Sequence, residues 1–288
     1  MKEFINRNAL LLFFTMAFTI SWVGIFLSFG QNGLHIFQGQ DVLAGEYSRQ
    51  LIWIWLFMLA GPAISGIFFI ATVDGKRGLK YLLRLIVKWE VPIKWYCAAI
   101  LLFPAILLLI FYSLSFISER FYPTPLLIPG LFVGLIGGFF EEIGWTGFAT
   151  PKLLSRFSFM KTAIILGVIH SFWHLFADYL GGFDFYKTLY IFHFFLWIIA
   201  LTALRFFIIW IYNHTGSLLL ALLTHASFTG SQLILTPSRL NGTETILWYA
   251  VFVIILTILV LTMIKRNLPS KKDTTLRQLN MGQLKIKL

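Results

Sequence analysis

The chain carries one cysteine, Cys97, in 288 residues. That count excludes an internal disulfide and any multi-cysteine metal site. Acids are scarce, 12 Asp and Glu against 23 Lys and Arg, and charged residues make up only 12% of the sequence, roughly half the usual share in a soluble domain. No internal repeat or low-complexity block stands out. What fills the chain instead is apolar: 58% hydrophobic and 18% aromatic residues, with a mean hydropathy of +0.82. Such a composition belongs to a polytopic membrane protein. Runs of about 20 apolar residues cross a ~30 Å hydrocarbon core, and eight such windows are legible, at about 8–30, 51–72, 94–118, 126–148, 160–180, 187–212, 216–236 and 246–264. The expected fold is all-α, an eight-transmembrane-helix bundle. The first window lacks a clean small-residue cleavage site, so it reads as a retained helix.

The net charge of +11 follows membrane topology and is not a nucleic-acid signal. Lys2 and Arg7 precede the first window. Lys76, Arg77, Lys80, Arg84, Lys88 and Lys94 lie between the second and third, and Lys152, Arg156 and Lys161 between the fourth and fifth. The tail adds seven more basic residues after Ile264, whereas the alternate loops are much poorer in Lys and Arg. The positive-inside rule then places both termini in the cytoplasm.

One transmembrane helical domain is expected over 1–264, followed by a polar, basic and mobile cytoplasmic tail over 265–288. Within GKRGLKYLLRLIVKWEVPIK, basic residues recur at helical spacing while leucines occupy other faces, the pattern of an interfacial amphipathic helix. In the fourth window Gly130, Gly134 and Gly138 recur every fourth residue, which lets another helix approach closely. Glu142 continues that stripe, so its carboxylate faces the bundle and not lipid.

Glu141 and Glu142 are the notable acids, because ionisable residues at membrane depth mark function by default. Neighbouring helical positions differ by ~100°, so the two cannot both face one reactive atom. One is expected to be catalytic and the other supportive, with a buried structural ion pair as the competing reading. Arg205, the nearest membrane-embedded cation, is expected to snorkel to the cytoplasmic interface. His170 and His174 share a helix face, a geometry that suits one metal ion, although no HExxH motif is present. His174 and His225 lie midway along their windows, where unpaired polar groups are costly. Thr229 stands one turn after His225, and the two can donate hydrogen bonds to a developing oxyanion. His35, His193 and His214 receive no role.

This constellation resembles the intramembrane CAAX-processing and bacteriocin-processing (CPBP) proteases, which include the type II CAAX prenyl endopeptidases. Their pattern is Glu-Glu-x-x-x-Arg, Phe-x-x-x-His and a His-x-x-x-Asn-like motif on successive helices of an eight-helix bundle. Here the three read EEIGWT (141–146), HSFWH (170–174) and HASFT (225–229), in the same order, and GWTGFATPKL and NHTGSLLLALLTHASF are similar to the family's flanking text. The resemblance spans roughly 125–235. It implies that Glu141 activates water with help from His174, while His225 and Thr229 stabilise the oxyanion. It also implies that Zn2+ or another divalent metal, where one is used, is held by Glu141, His174 and His225.

Three positions depart from the pattern: Thr146 replaces its arginine, His170 its phenylalanine and Thr229 its asparagine. Glu142, Thr146 and His170 are therefore supporting candidates, and loss of the arginine removes the i, i+4 partner of Glu142. The resulting expectation is a multi-pass endopeptidase of the bacterial plasma membrane. It would cleave a peptide or membrane-associated protein near the cytoplasmic leaflet, with no nucleic-acid partner. The alternative is a catalytically weakened scaffold or bacteriocin-immunity factor of the same fold.

Overall fold

The computed structural model describes residues 2–29, 49–123 and 127–267. Among them there is no strand, and eight helices have 18 residues or more: α1 (Lys2–Phe29), α2 (Arg49–Ile86), α3 (Ile93–Ser115), α4 (Leu127–Gly144), α6 (Phe159–Tyr186), α7 (Tyr190–Thr215), α8 (Leu218–Leu235) and α9 (Gly242–Asn267). The short α5 (Thr150–Leu154) comes after α4 and a π-turn at Trp145–Ala149. Six stretches are long and apolar enough to cross a bilayer, one of them, Phe159–Thr215, holding both α6 and α7. The protein is thus an all-helical polytopic membrane protein. The expected tail lies outside the described residues from position 268 onward.

The amphipathic segment is continuous with the second span. α2 changes direction at Gly75, whose φ of 64° and ψ of −156° are non-helical and suit a residue without a Cβ. Beyond it Leu82 and Leu85 are buried while Lys80 and Arg84 are exposed, as an interfacial helix requires.

Helix α4 lies at the centre, packed on α8 and α2. Its glycine stripe explains the closeness of α8: a Cβ on Gly134 would fall 2.5 Å from the Ala226 carbonyl oxygen, and one on Gly138 2.6 Å from that of Leu222. The two backbones meet because neither position carries a side chain. α1 and α6 are tied behind this pair by the indole of Trp173, which donates to Ser21 Oγ at 2.9 Å, while Ser21 Oγ lies 3.2 Å from the carbonyls of Phe57 and Met58 on α2.

Candidate active site

Glu141 and Glu142 sit on the last turn of α4, just before the π-turn. A π-turn widens the helix by one residue and rotates the next turns about the axis. Here it aligns Thr150, whose hydroxyl donates to the Trp145 carbonyl five residues back at 2.8 Å. The two acids diverge, as their spacing requires, into separate polar environments.

Glu142 is fully buried in an ionic knot. Arg205 of α7 approaches its carboxylate with both terminal nitrogens, Nη1 to Oε2 at 2.9 Å and Nη2 to Oε1 at 2.5 Å. Thr146 donates its hydroxyl to Oε2, and His225 Nδ1 lies 2.6 Å from Oε1. A planar guanidinium matched to a carboxylate is the strongest ion-pair geometry available to side chains. Arg205 is itself 0% exposed, which corrects the expectation that it snorkels to the interface. It also supplies the partner that the sequence at 146 removes, from a different helix.

Glu141 faces the imidazoles. Its Oε2 is 2.9 Å from His170 Nε2, 3.9 Å from His225 Nε2 and 4.0 Å from His174 Nε2. The hydrogen-bond network assigns the tautomers. His170 Nδ1 is buried without a partner, so its proton belongs on Nε2, donated to Glu141. His225 Nδ1 donates to Glu142, which turns a bare Nε2 toward Glu141. The His170 ring is flanked by Trp145 and Trp173, at centroid distances of 5.4 and 5.6 Å.

Every candidate except Thr229 thus has a measured place in one connected cluster, and Thr229 lines the cavity beside it together with Glu141, His174 and His225. That cavity has a volume of about 340 Å³. His170, a supporting candidate from sequence, is the histidine nearest Glu141. One ligand atom each from Glu141, His170 and His174 lies within 4.8 Å of the others, close enough for the three to hold one metal ion. Thr224 is occupied elsewhere, donating to the Leu220 carbonyl at 2.6 Å. Arg205, named from sequence as a membrane-embedded cation, is the residue whose role sequence reasoning missed. The signal was a lone cation in the middle of an apolar run, with no acid on its own helix.

Comparison with known proteins points the same way. Residues 123–231 match the family model described as type II CAAX prenyl endopeptidase Rce1-like. A curated relative, CAAX prenyl protease 2 of Methanococcus maripaludis, is 29% identical over 177 residues, covering 57% of this chain and 60% of the relative. The chain therefore matches about three-fifths of that relative's length. Residues 123–231, the stretch that supplies every member of the polar cluster, are thus similar to the type II CAAX prenyl endopeptidases that the three motifs resemble.

Proposed function

We propose that the protein is an intramembrane endopeptidase that hydrolyses a peptide bond of a peptide or membrane-associated protein, in a bacterial plasma membrane. One observation carries the reading. A carboxylate, Glu141, stands at the head of a cavity among three imidazoles, while the adjacent carboxylate is locked by a guanidinium. Two neighbouring acids with such different partners suit two different tasks.

In this reading Glu141 takes a proton from a water held between its Oε2 and His174 Nε2, whose 4.0 Å separation leaves a water within hydrogen-bond reach of both. His174 is the most accessible of the three histidines, with a side chain 23% exposed, and it faces the cavity. His170 holds the Glu141 carboxylate in orientation. As the carbonyl oxygen gains charge, the Thr229 hydroxyl donates to it, and the proton that Glu141 took from the water passes to the leaving amine as the peptide bond breaks. The Glu142–Arg205 pair fixes the ring of His225 throughout.

The same residues fit a divalent metal. His225 is anchored through Nδ1 to Glu142 at 2.6 Å, the outer carboxylate support that metal-bound imidazoles require. His170 has no partner for its Nδ1 and is the poorer ligand despite its proximity. Glu141, His174 and His225 would hold the ion, which would polarise the scissile carbonyl and acidify bound water.

The alternative, a scaffold or immunity factor with weakened chemistry, draws on Thr146 and Thr229. Arg205 answers the first of these, since Glu142 keeps a guanidinium. Purified protein in detergent should cleave members of a peptide library, and Glu141→Gln or His174→Ala should abolish cleavage with unchanged thermal unfolding. Wild-type turnover in both variants would remove the proposal.

A further inference from the structure

The final stretch of α2 spends its apolar face on the protein itself. After Gly75 redirects the chain, Leu82 and Leu85 turn inward and are buried. Successive helical positions differ by ~100°, so Lys76, Arg77, Lys80, Leu83, Arg84 and Val87 share the outward side, where each of them is exposed. Most of that face is cationic. None of its Lys or Arg side chains enters an ion pair among the described residues. Just beyond the helix Trp89 is 67% exposed and Ile93 75%, and Lys94 is exposed beside them. The acids of the same stretch, Asp74 and Glu90, lie at its two ends.

This is the reverse of a helix that lies on a bilayer by its apolar face. What the segment presents outward is charge, at the end of the candidate span Ile52–Ile86, with large apolar side chains set among the cations. Lys and Arg close to an anionic headgroup layer are attracted to it, and exposed Trp and aliphatic side chains beside them suit the boundary between headgroups and acyl chains. A face turned only to water would gain nothing from exposing Leu83, Val87, Trp89 and Ile93 together.

The inner side of the same segment reaches the elements that carry the polar cluster. Leu82 lies against the π-turn, since a Cβ on Gly147 would fall 2.8 Å from Leu82 Cδ1. Lys88 Nζ donates to the carbonyl of Thr215, the last residue of α7, at 2.7 Å. The Ser217 hydroxyl donates to the Lys88 carbonyl at 2.7 Å and accepts from the Leu220 N–H, capping α8. One segment thus touches the turn after Glu142, the end of the helix that carries Arg205 and the start of the helix that carries His225. The geometry points to a docking surface for anionic phospholipid headgroups on the Lys80–Arg84 face, through which bound lipid braces the three elements that hold Glu142, Arg205 and His225 together. Docking stands without the proteolytic reading; only a gain in turnover with bound lipid rests on it.

Backbone hydrogen exchange tests both halves of this inference without needing turnover. The full chain is placed in lipid nanodiscs of phosphatidylcholine alone or with added phosphatidylglycerol, and exchange is followed over residues 76–94 and 145–154. Phosphatidylglycerol should slow exchange in both stretches at least about fivefold, the attraction of a single cation to an anionic surface. The effect should vanish at high ionic strength and in Lys80→Gln/Arg84→Gln, and survive in the charge-conserving Lys80→Arg/Arg84→Lys. Equal exchange in the two lipids, or full protection in the Gln variant, would overturn the docking surface. Protection confined to 76–94 would overturn the bracing of the π-turn. Protection by polyglutamate in phosphatidylcholine discs, with none from phosphatidylglycerol, would replace the lipid with an acidic protein partner. Peptide turnover should rise with phosphatidylglycerol in the wild type; its absence in both lipids would count against the proteolytic reading, and exchange would still decide the docking.

Discussion

Arg205 of α7 holds both carboxylate oxygens of Glu142 of α4 across 63 residues of sequence, and Thr146, one turn beyond Glu142, completes the shell. The family pattern puts an arginine at position 146 itself. In this chain the guanidinium comes from a neighbouring helix, and the position it vacates is filled by a small hydroxyl that still donates to the same oxygen.

Removing Arg205 leaves a buried carboxylate without its cation. Arg205→Ala should cost about 3–5 kcal/mol of stability, read as a lower thermal unfolding midpoint in detergent, and should depress peptide turnover through His225. Adding Thr146→Arg to Arg205→Ala should restore most of both losses, since the new side chain enters the space that the old guanidinium left. Thr146→Arg alone should destabilise, because that space is then occupied twice. A double variant no better than Arg205→Ala would contradict this account of Glu142.

His170 donates to Glu141 but lacks outer support. His170→Phe, which restores the family's residue, should lower turnover by about tenfold while binding of substrate stays near wild type. The loss corresponds to one hydrogen bond to a charged group, roughly 1.5 kcal/mol. Complete inactivation by His170→Phe would assign this histidine a direct part in the chemistry.

Titration of metal-free protein with Zn2+ discriminates between the two possible histidine pairs. Binding should weaken by about 10–100-fold in Glu142→Gln, which loses the support behind His225, and further in His225→Ala. His170→Phe should leave it within about threefold. The opposite ranking would favour the group of Glu141, His170 and His174 that lies closest together.

Close packing of α4 on α8 positions Glu142 against His225. Gly134→Val would drive its Cβ toward the Ala226 carbonyl, 2.5 Å away before relaxation, and should cost about 1–3 kcal/mol or more. Turnover should fall with it. Gly137→Ala, whose Cβ would meet nothing nearer than a Glu141 oxygen at 3.9 Å, should unfold at the wild-type temperature.

The helices, and most of the side chains that meet in the polar cluster, were legible from sequence because the signals were local. Apolar runs of sufficient length announced the spans, and polar residues at mid-span announced the site. The glycine stripe of α4 correctly indicated a close partner. Arg205 was not legible in its role, because a cation in an apolar run looks the same whether it snorkels or pairs with an acid on another helix. Only the three-dimensional arrangement, which brings Arg205 onto Glu142 and against His225 of α8, distinguishes the two. The nearness of His170 to Glu141 was hidden for a related reason: spacing put it on the face of His174 but could not say which ring met Glu141.

Hydrolysis by a water that Glu141 activates is tested most directly by oxygen labelling. In a single turnover carried out in 18O-water, the account predicts one heavy oxygen in the new C-terminal carboxylate of the cleaved peptide, none in Glu141, and no product from Glu141→Gln. Label found on Glu141, with an unlabelled product carboxylate, would show covalent attack by the carboxylate itself and contradict the account.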